Sequence, residues 1–179
     1  MGDKIKHNLI LIGFMGSGKT SVGELLAVRL GYSFQDTDLL IEQTEKDTIS
    51  NIFQVKGEGY FRDLETTLIE DLQTNLRNTV LSAGGGLPLR EQNRKLLREL
   101  GFVVYLEASA EEIIERLMND TTRPLLQGEE LDAKVRSMLK IRIPIYEHAA
   151  HKKILVDHKT PEEITDMVIR AYEYKDEED

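Results

Sequence analysis

Cysteine and tryptophan are absent from the 179-residue chain. Without cysteine, disulfides and thiolate zinc sites are excluded, and a reducing compartment is compatible with the sequence. Long apolar runs are missing as well. Nothing approaches the ~20 residues of a membrane-spanning helix, and no secretory signal is visible. Met1-Gly2 would begin an N-myristoylation signal, but Lys6 stands where Ser or Thr is required. Positive charge is the scarcer sign, with 23 Lys and Arg against 32 Asp and Glu and a formal net charge of −9. Such a surface repels nucleic acid and anionic lipid, so neither is an expected partner, and an anionic ligand needs a local basic pocket. A cytoplasmic monomer is the expectation.

Hydrophobic residues make up 40 % of the chain and charged residues 31 %, the balance of a globular protein, and the length suits one domain over residues 1–179. Apolar runs that read as buried parallel strands recur at about Asn8–Gly13, Tyr32–Gln35, Thr79–Ala83, Phe102–Leu106 and Lys153–Val156. Helical patterns lie between them. Val22, Leu25, Leu26, Val28 and Leu30 suit a helix packed on a sheet. Ser109 with Glu112 is a capping box ahead of Ile113, Ile114 and Leu117. Thr160, Pro161 and Glu163 start a helix with Ile164, Met167, Val168 and Ala171 on one face. Strand–helix alternation implies a three-layer α/β fold with right-handed crossovers. Two stretches interrupt the alternation. Residues 38–78 form a mostly helical insertion. Residues 119–130 are aperiodic and polar, contain Arg123, and read equally as an active-site lid or a polar surface loop.

Residues Gly13 to Thr20 read Gly-Phe-Met-Gly-Ser-Gly-Lys-Thr, a full match to the phosphate-loop pattern, between an apolar strand and a helix. Glycines at 13, 16 and 18 let successive backbone N–H groups turn inward, and the helix N-terminus adds partial positive charge. Gly16, Ser17 and Gly18 then cradle phosphates, Lys19 supplies full charge to the β/γ oxygens, and the Thr20 hydroxyl can bind Mg²⁺. A nucleoside triphosphate is the expected ligand.

The group that receives the phosphoryl must be found elsewhere. Asp36 and Asp38 end the second strand, beside the phosphate loop, and strand alternation puts them on one side. Two carboxylates there can hold water on Mg²⁺ and accept a proton from an attacking hydroxyl; the alternative is a turn that starts a helix. Gly84–Gly86 follow the third strand and remove every side chain where backbone could approach a ligand. Ser82 can hold a metal-bound water. Arg62 has Glu65 at i+3, an ordinary intrahelical ion pair if nothing else. Arg142 precedes Pro144, which must kink or break its helix. His148 and His151 have a spacing compatible with metal, but no third ligand is evident, and exposed histidines are the plainer reading.

Together these residues resemble the shikimate kinase family. The matches are Ile12–Thr20, Asp36-Thr-Asp38, Phe61-Arg62 with Glu65, Gly84–Gly86, Arg123-Pro-Leu-Leu126 and Arg142-x-Pro-x-Tyr146, in family order. The resemblance implies a P-loop NTPase fold with a five-stranded parallel sheet in order 2-3-1-4-5 and helices on both faces. It implies transfer of the ATP γ-phosphoryl to the 3-hydroxyl of shikimate, with Mg²⁺, giving 3-phosphoshikimate and ADP in the pathway to chorismate and aromatic amino acids. By the same resemblance Asp36, Thr20 and Ser82 serve the metal, and Asp38 is the acceptor's base. Lys19 and Arg123 act on the phosphates, Arg123 from the lid. Arg62 and Arg142 clamp the substrate carboxylate, which suits arginine's planar fork. Gly84, Gly85 and Gly86 donate to substrate, and Arg116 and Pro161 flank the adenine. Rival readings are a gluconate or adenylate kinase and a nucleotide switch. The paired arginines favour a carboxylate acceptor over the first, and the lack of an Asn-Lys-x-Asp guanine reader weighs against the second.

Overall fold

The strand β1 (Leu9–Ile12) is apolar at every position and fully buried, as the middle of a parallel sheet covered on both faces requires. Burying each of these side chains contributes roughly 1.5–3 kcal/mol before chain entropy is counted. The computed structural model describes residues 7–119 and 129–173. Within them β1, β2 (Ser33–Asp36), β3 (Thr79–Ser82), β4 (Phe102–Glu107) and β5 (Lys152–Leu155) form one parallel sheet in the order β2-β3-β1-β4-β5. This is the fold class and strand order expected above, and every strand end falls within one residue of its expected place.

Helices α1 (Lys19–Leu30), α2 (Thr37–Glu45), α3 (Ile49–Asn75), α4 (Glu91–Leu100), α5 (Ala110–Asn119), α6 (Glu129–Ala149) and α7 (Pro161–Glu173) connect the strands. Register shows that they cover both faces. Leu11 pairs with Val104, so the two point to one side. That is the side of α1, because a Cβ on the α1 residue Gly23 would lie 3.4 Å from Leu11 Cδ1. Tyr105, the next residue of β4, points to the other side and meets Tyr146 of α6 at 5.1 Å between ring centroids. Among the described residues no helix is long and apolar enough to cross a membrane.

Asn8 ties the sheet together at the end away from the phosphate loop. Its Nδ2 donates to Leu76 O (3.0 Å) and Leu100 O (2.9 Å), and its Oδ1 accepts from Thr79 N (3.2 Å). A fully buried amide is tolerated because both of its ends are satisfied.

Several local expectations need correction. Val28 is 82 % exposed, because α1 buries Val22, Gly23, Leu26 and Ala27 instead. Met167 is exposed on α7; Ile164, Thr165, Val168 and Tyr172 form the buried stripe. The Thr160 box is complete, with Thr160 N donating to Glu163 Oε2 (2.8 Å) and Glu163 N to Thr160 Oγ1 (3.2 Å). The Ser109 box is half made. Glu112 N donates to Ser109 Oγ (3.2 Å), but the Glu112 carboxylate turns to Arg116, and Ser109 N donates to Asp157 Oδ1 instead (2.8 Å). Helix α6 runs through Pro144 without a break.

Candidate active site

The phosphate-loop residues occupy the turn from β1 to α1. Gly18 is the N-cap of α1 at φ 90°, ψ 15°, a left-handed conformation that side-chain-bearing residues enter at a cost. Lys19 lies back across the loop, its Nζ donating to Gly13 O (2.9 Å) and Phe14 O (3.0 Å). Ser17 Oγ is buried and has no hydrogen-bond partner among the described residues. Arg116 reaches over from α5, donating to Gly16 O (3.1 Å) while paired with Glu112 (2.7 Å). It therefore braces the rim of the loop. The Ser109–Asp157 bond joins the start of α5 to the segment before Pro161, which brings the two expected adenine neighbours to one edge.

Asp36 and Ser82 are register partners at the carboxyl ends of β2 and β3, and Thr20 lies in the first turn of α1. Among the described residues no group of three or more His, Cys, Asp or Glu could hold a metal ion. One carboxylate with hydroxyls, beside a phosphate cradle, fits Mg²⁺, which keeps its waters and shares phosphate oxygens. Asp36 also caps α2, since its Oδ1 accepts from Asp38 N (2.9 Å) and Leu39 N (3.3 Å). The strand ends at Asp36, so Asp38 is placed by the first turn of a helix, not by strand alternation as expected.

The acceptor candidates converge on the triple glycine. A Cβ on Gly84 would lie 2.5 Å from Asp38 Oδ1, and one on Gly86 would lie 2.5 Å from Arg62 Cζ. A side chain at either position would force the Asp38 carboxylate or the Arg62 guanidinium to move. None of the three glycines has a positive φ, so close approach explains them, not turn geometry. Gly84 N donates to Thr37 Oγ1 (2.8 Å), and Tyr146 OH donates to Gly85 O (2.6 Å). Only Gly85 and Gly86 keep N–H groups without a hydrogen-bond acceptor among the described residues. The Gly84 N–H is thus engaged by Thr37 in this structure.

Helix α3 breaks at Gly57 (φ 84°, ψ 168°), and both parts meet at Arg62. Its guanidinium lies 5.8 Å from the Phe53 ring and 5.5 Å from the Phe61 ring. It pairs with Glu58 (3.1 Å) and Glu65 (2.7 Å). The intrahelical pair is real, and Arg62 still abuts Gly86. Glu65 is 1 % exposed, and its Oε1 has no hydrogen-bond partner among the described residues. Burial pushes the Glu65 carboxyl up to about 7; the neighbouring Arg62 charge opposes the rise and Asp38 adds to it. Arg142, from α6, stands 5.5 Å from the ring of the loop residue Phe14. One turn on, burial holds the Tyr146 hydroxyl above its usual range. Sequence reasoning passed over Thr37 as a ligand of the loop and Glu65 as a buried acid. The available signal for Glu65 was its helical spacing from Phe61 and Ile69, four residues away on either side and both buried.

Arg123 and most of the expected lid lie outside the described residues. His151 Nδ1 accepts from Val103 N (2.9 Å) and the ring stacks on Phe102, so that histidine serves the sheet edge.

Residues 15–173 match the family model described as shikimate kinase. The chain is 44 % identical over 166 residues to the shikimate kinase of Thermodesulfovibrio yellowstonii, covering 93 % of this chain and 95 % of that one. It is 42 % identical over 173 residues to that of Dehalococcoides mccartyi, covering 95 % and 97 %. Among solved structures it is similar to shikimate kinase from Acinetobacter baumannii in complex with shikimate, with a TM-score of 0.85, 38 % identity and coverage of 93 % and 92 %. A phosphate loop, a carboxylate-and-arginine pocket across three glycines, and these likenesses agree: the chain belongs to the shikimate kinase family.

Proposed function

We propose that the protein transfers the γ-phosphoryl group of ATP to the 3-hydroxyl of shikimate. One observation carries the reading. Three consecutive glycines bridge the two halves of the site. Gly84 borders Asp38 and Gly86 borders Arg62, while a Cβ on Gly85 would lie 3.5 Å from Gly13 O of the phosphate loop and 3.8 Å from Arg142 Nη1. A hydroxyl held by this loop would sit between a carboxylate and the phosphate cradle.

Phosphoryl transfer asks little covalent work of the protein, so positioning and electrostatics dominate. Arg62 and Arg142 hold the acceptor's carboxylate with two charged forks. Asp38 orients the hydroxyl and takes its proton as the new O–P bond forms and the bond from the γ-phosphorus to the bridging oxygen breaks, releasing ADP. Lys19 swings from the carbonyls of Gly13 and Phe14 to the phosphate oxygens and stabilises charge there. Gly16, Ser17, Gly18 and the N-terminus of α1 bind the remaining phosphate charge. Asp36, Ser82 and Thr20 would hold Mg²⁺, directly or through water, and the ion would supply charge neutralisation between phosphate oxygens. The segment 38–78 is the acceptor-binding insertion, and Arg116 and Pro161 border the nucleotide base.

The test is ADP release with and without shikimate, beside gluconate and AMP as rival acceptors. Turnover that requires shikimate is expected. Equal turnover with gluconate, or none beyond ATP hydrolysis, overturns the reading.

A further inference from the structure

The glycine bridge is the part of the site with the most backbone freedom, yet it must hold two N–H groups still. Its restraint comes from α4, a helix that carries none of the site residues. Residues Leu87–Leu89 form one 3₁₀ turn directly after the glycines. Leu87 N donates back to Gly84 O (3.0 Å) and Leu89 N to Gly86 O (3.1 Å). That leaves the turn's own three carbonyls without helical partners. All three are taken by two side chains of α4. Asn93 Nδ2 donates to Leu87 O (2.9 Å), and Arg94 Nη1 donates to Pro88 O (2.9 Å) and Leu89 O (3.0 Å). Asn93 is fully buried. The same end of α4 also grips the helix that carries Arg62. Arg90, its N-cap, pairs with Asp63 (2.8 Å) and donates to Thr66 Oγ1 (3.2 Å), and Thr66 Oγ1 in turn donates to Arg62 O (3.0 Å).

We propose that Asn93 and Arg94 are positioning residues for the phosphoryl acceptor, acting through the Leu87–Leu89 turn on the N–H groups of Gly85 and Gly86. The inference rests on the acceptor assignment above. A triple glycine loses more conformational entropy on ordering than any other tripeptide. A neighbour that orders it beforehand removes that cost from ligand binding. The phosphate loop depends less on this contact, because Lys19, Gly18 and α1 organise it locally. Loosening α4's grip therefore acts on one ligand and spares the other.

The experiment uses the full chain with two variants. Asn93→Asp keeps the shape but sets an acceptor against Leu87 O. Arg94→Lys keeps the charge but ends one bond short of the place from which Nη1 meets both carbonyls. Steady-state kinetics with ATP and shikimate varied separately, and amide hydrogen exchange at residues 84–89, are the readouts. A rise in the KM for shikimate of about tenfold for Asn93→Asp and about threefold for Arg94→Lys is expected, with the KM for ATP within about twofold of wild type and faster exchange at 84–89. If Asn93→Asp does not fold, Arg94→Lys decides alone. An unchanged KM for shikimate, or equal loss for both substrates, overturns the inference while wild-type turnover keeps the functional reading intact. Absence of shikimate-dependent turnover in the wild type overturns both.

Discussion

The phosphate cradle and the acceptor pocket sit side by side and are built in opposite ways. The cradle is continuous in sequence from Gly13 to Thr20. The pocket draws on Asp38, Arg62, Gly84–Gly86 and Arg142, which come from α2, α3, the turn after β3 and α6. Charge is also handled differently. The cradle presents backbone dipoles and one lysine that rests on nearby carbonyls. The pocket buries an acid, Glu65, against an arginine and beside another acid. Dipoles fixed by chain conformation cost little to keep, whereas buried charges need partners supplied by the fold.

The largest effect should fall on the cradle. Lys19→Met removes charge where phosphate charge develops, and turnover should drop on the order of 10²–10³-fold with the fold intact by circular dichroism. Near-normal turnover would mean that backbone dipoles suffice and that the two regions differ even more sharply.

Next comes Asp38. Asp38→Asn preserves size and should lower turnover on the order of 10²-fold while nucleotide binding survives, measured by fluorescence titration of ATP. Asp36→Asn makes the informative partner. Asparagine caps helices about as well as aspartate, so α2 should persist and only the Mg²⁺ requirement should rise. Rescue of Asp38→Asn, rather than Asp36→Asn, by excess Mg²⁺ would reverse the two roles.

Glu65 reports on the cost of the buried acid. Its folded pKa of about 7 lies above the ordinary 4.5. The folded state therefore keeps this proton where the unfolded chain has lost it. The stabilisation is fully present below about pH 4.5 and is lost as pH rises through about 7. Glu65→Gln should flatten this slope by about 1–3 kcal/mol between pH 5 and 8, read from urea unfolding at several pH values. An unchanged slope would show that Arg62 keeps Glu65 ionised throughout.

The smallest effect is the geometric one. Arg62→Lys and Arg142→Lys keep charge and lose the bidentate fork, so the KM for shikimate should rise about tenfold with the KM for ATP unchanged. Equal loss for both ligands would join the two regions into one unit and erase the contrast.

Much of the fold and of the site is legible in the sequence, for physical reasons that can be named residue by residue. The phosphate loop can be read because its function depends on consecutive residues. The central strand can be read because a strand buried on both faces must be apolar throughout, as Leu9–Ile12 is, whereas the edge strands Ser33–Asp36 and Lys152–Leu155 are mixed in sequence and largely not buried, against the expectation that all five are. The Thr160–Glu163 cap can be read because both its bonds span three residues. Periodicity misplaces the faces of α1 and α7, because burial is set by the neighbouring element: Val28 meets water. Of the kink or break expected at Pro144, the break does not occur: the helix continues to Ala149.

The sequence by itself therefore determined the nucleotide cradle, the alternation of strands and helices, and the sign of the acceptor's charge through two arginines. Those properties live in short-range spacing and in residue chemistry. Only the tertiary structure decided that Asp38 and Arg62 both press on the glycine bridge, that Glu65 is a buried acid, that Thr37 takes the Gly84 N–H, and that Asn93 and Arg94 close the turn behind it. Each of those contacts depends on close approach and exclusion of water, which no single stretch of chain carries until the sheet has brought distant segments together.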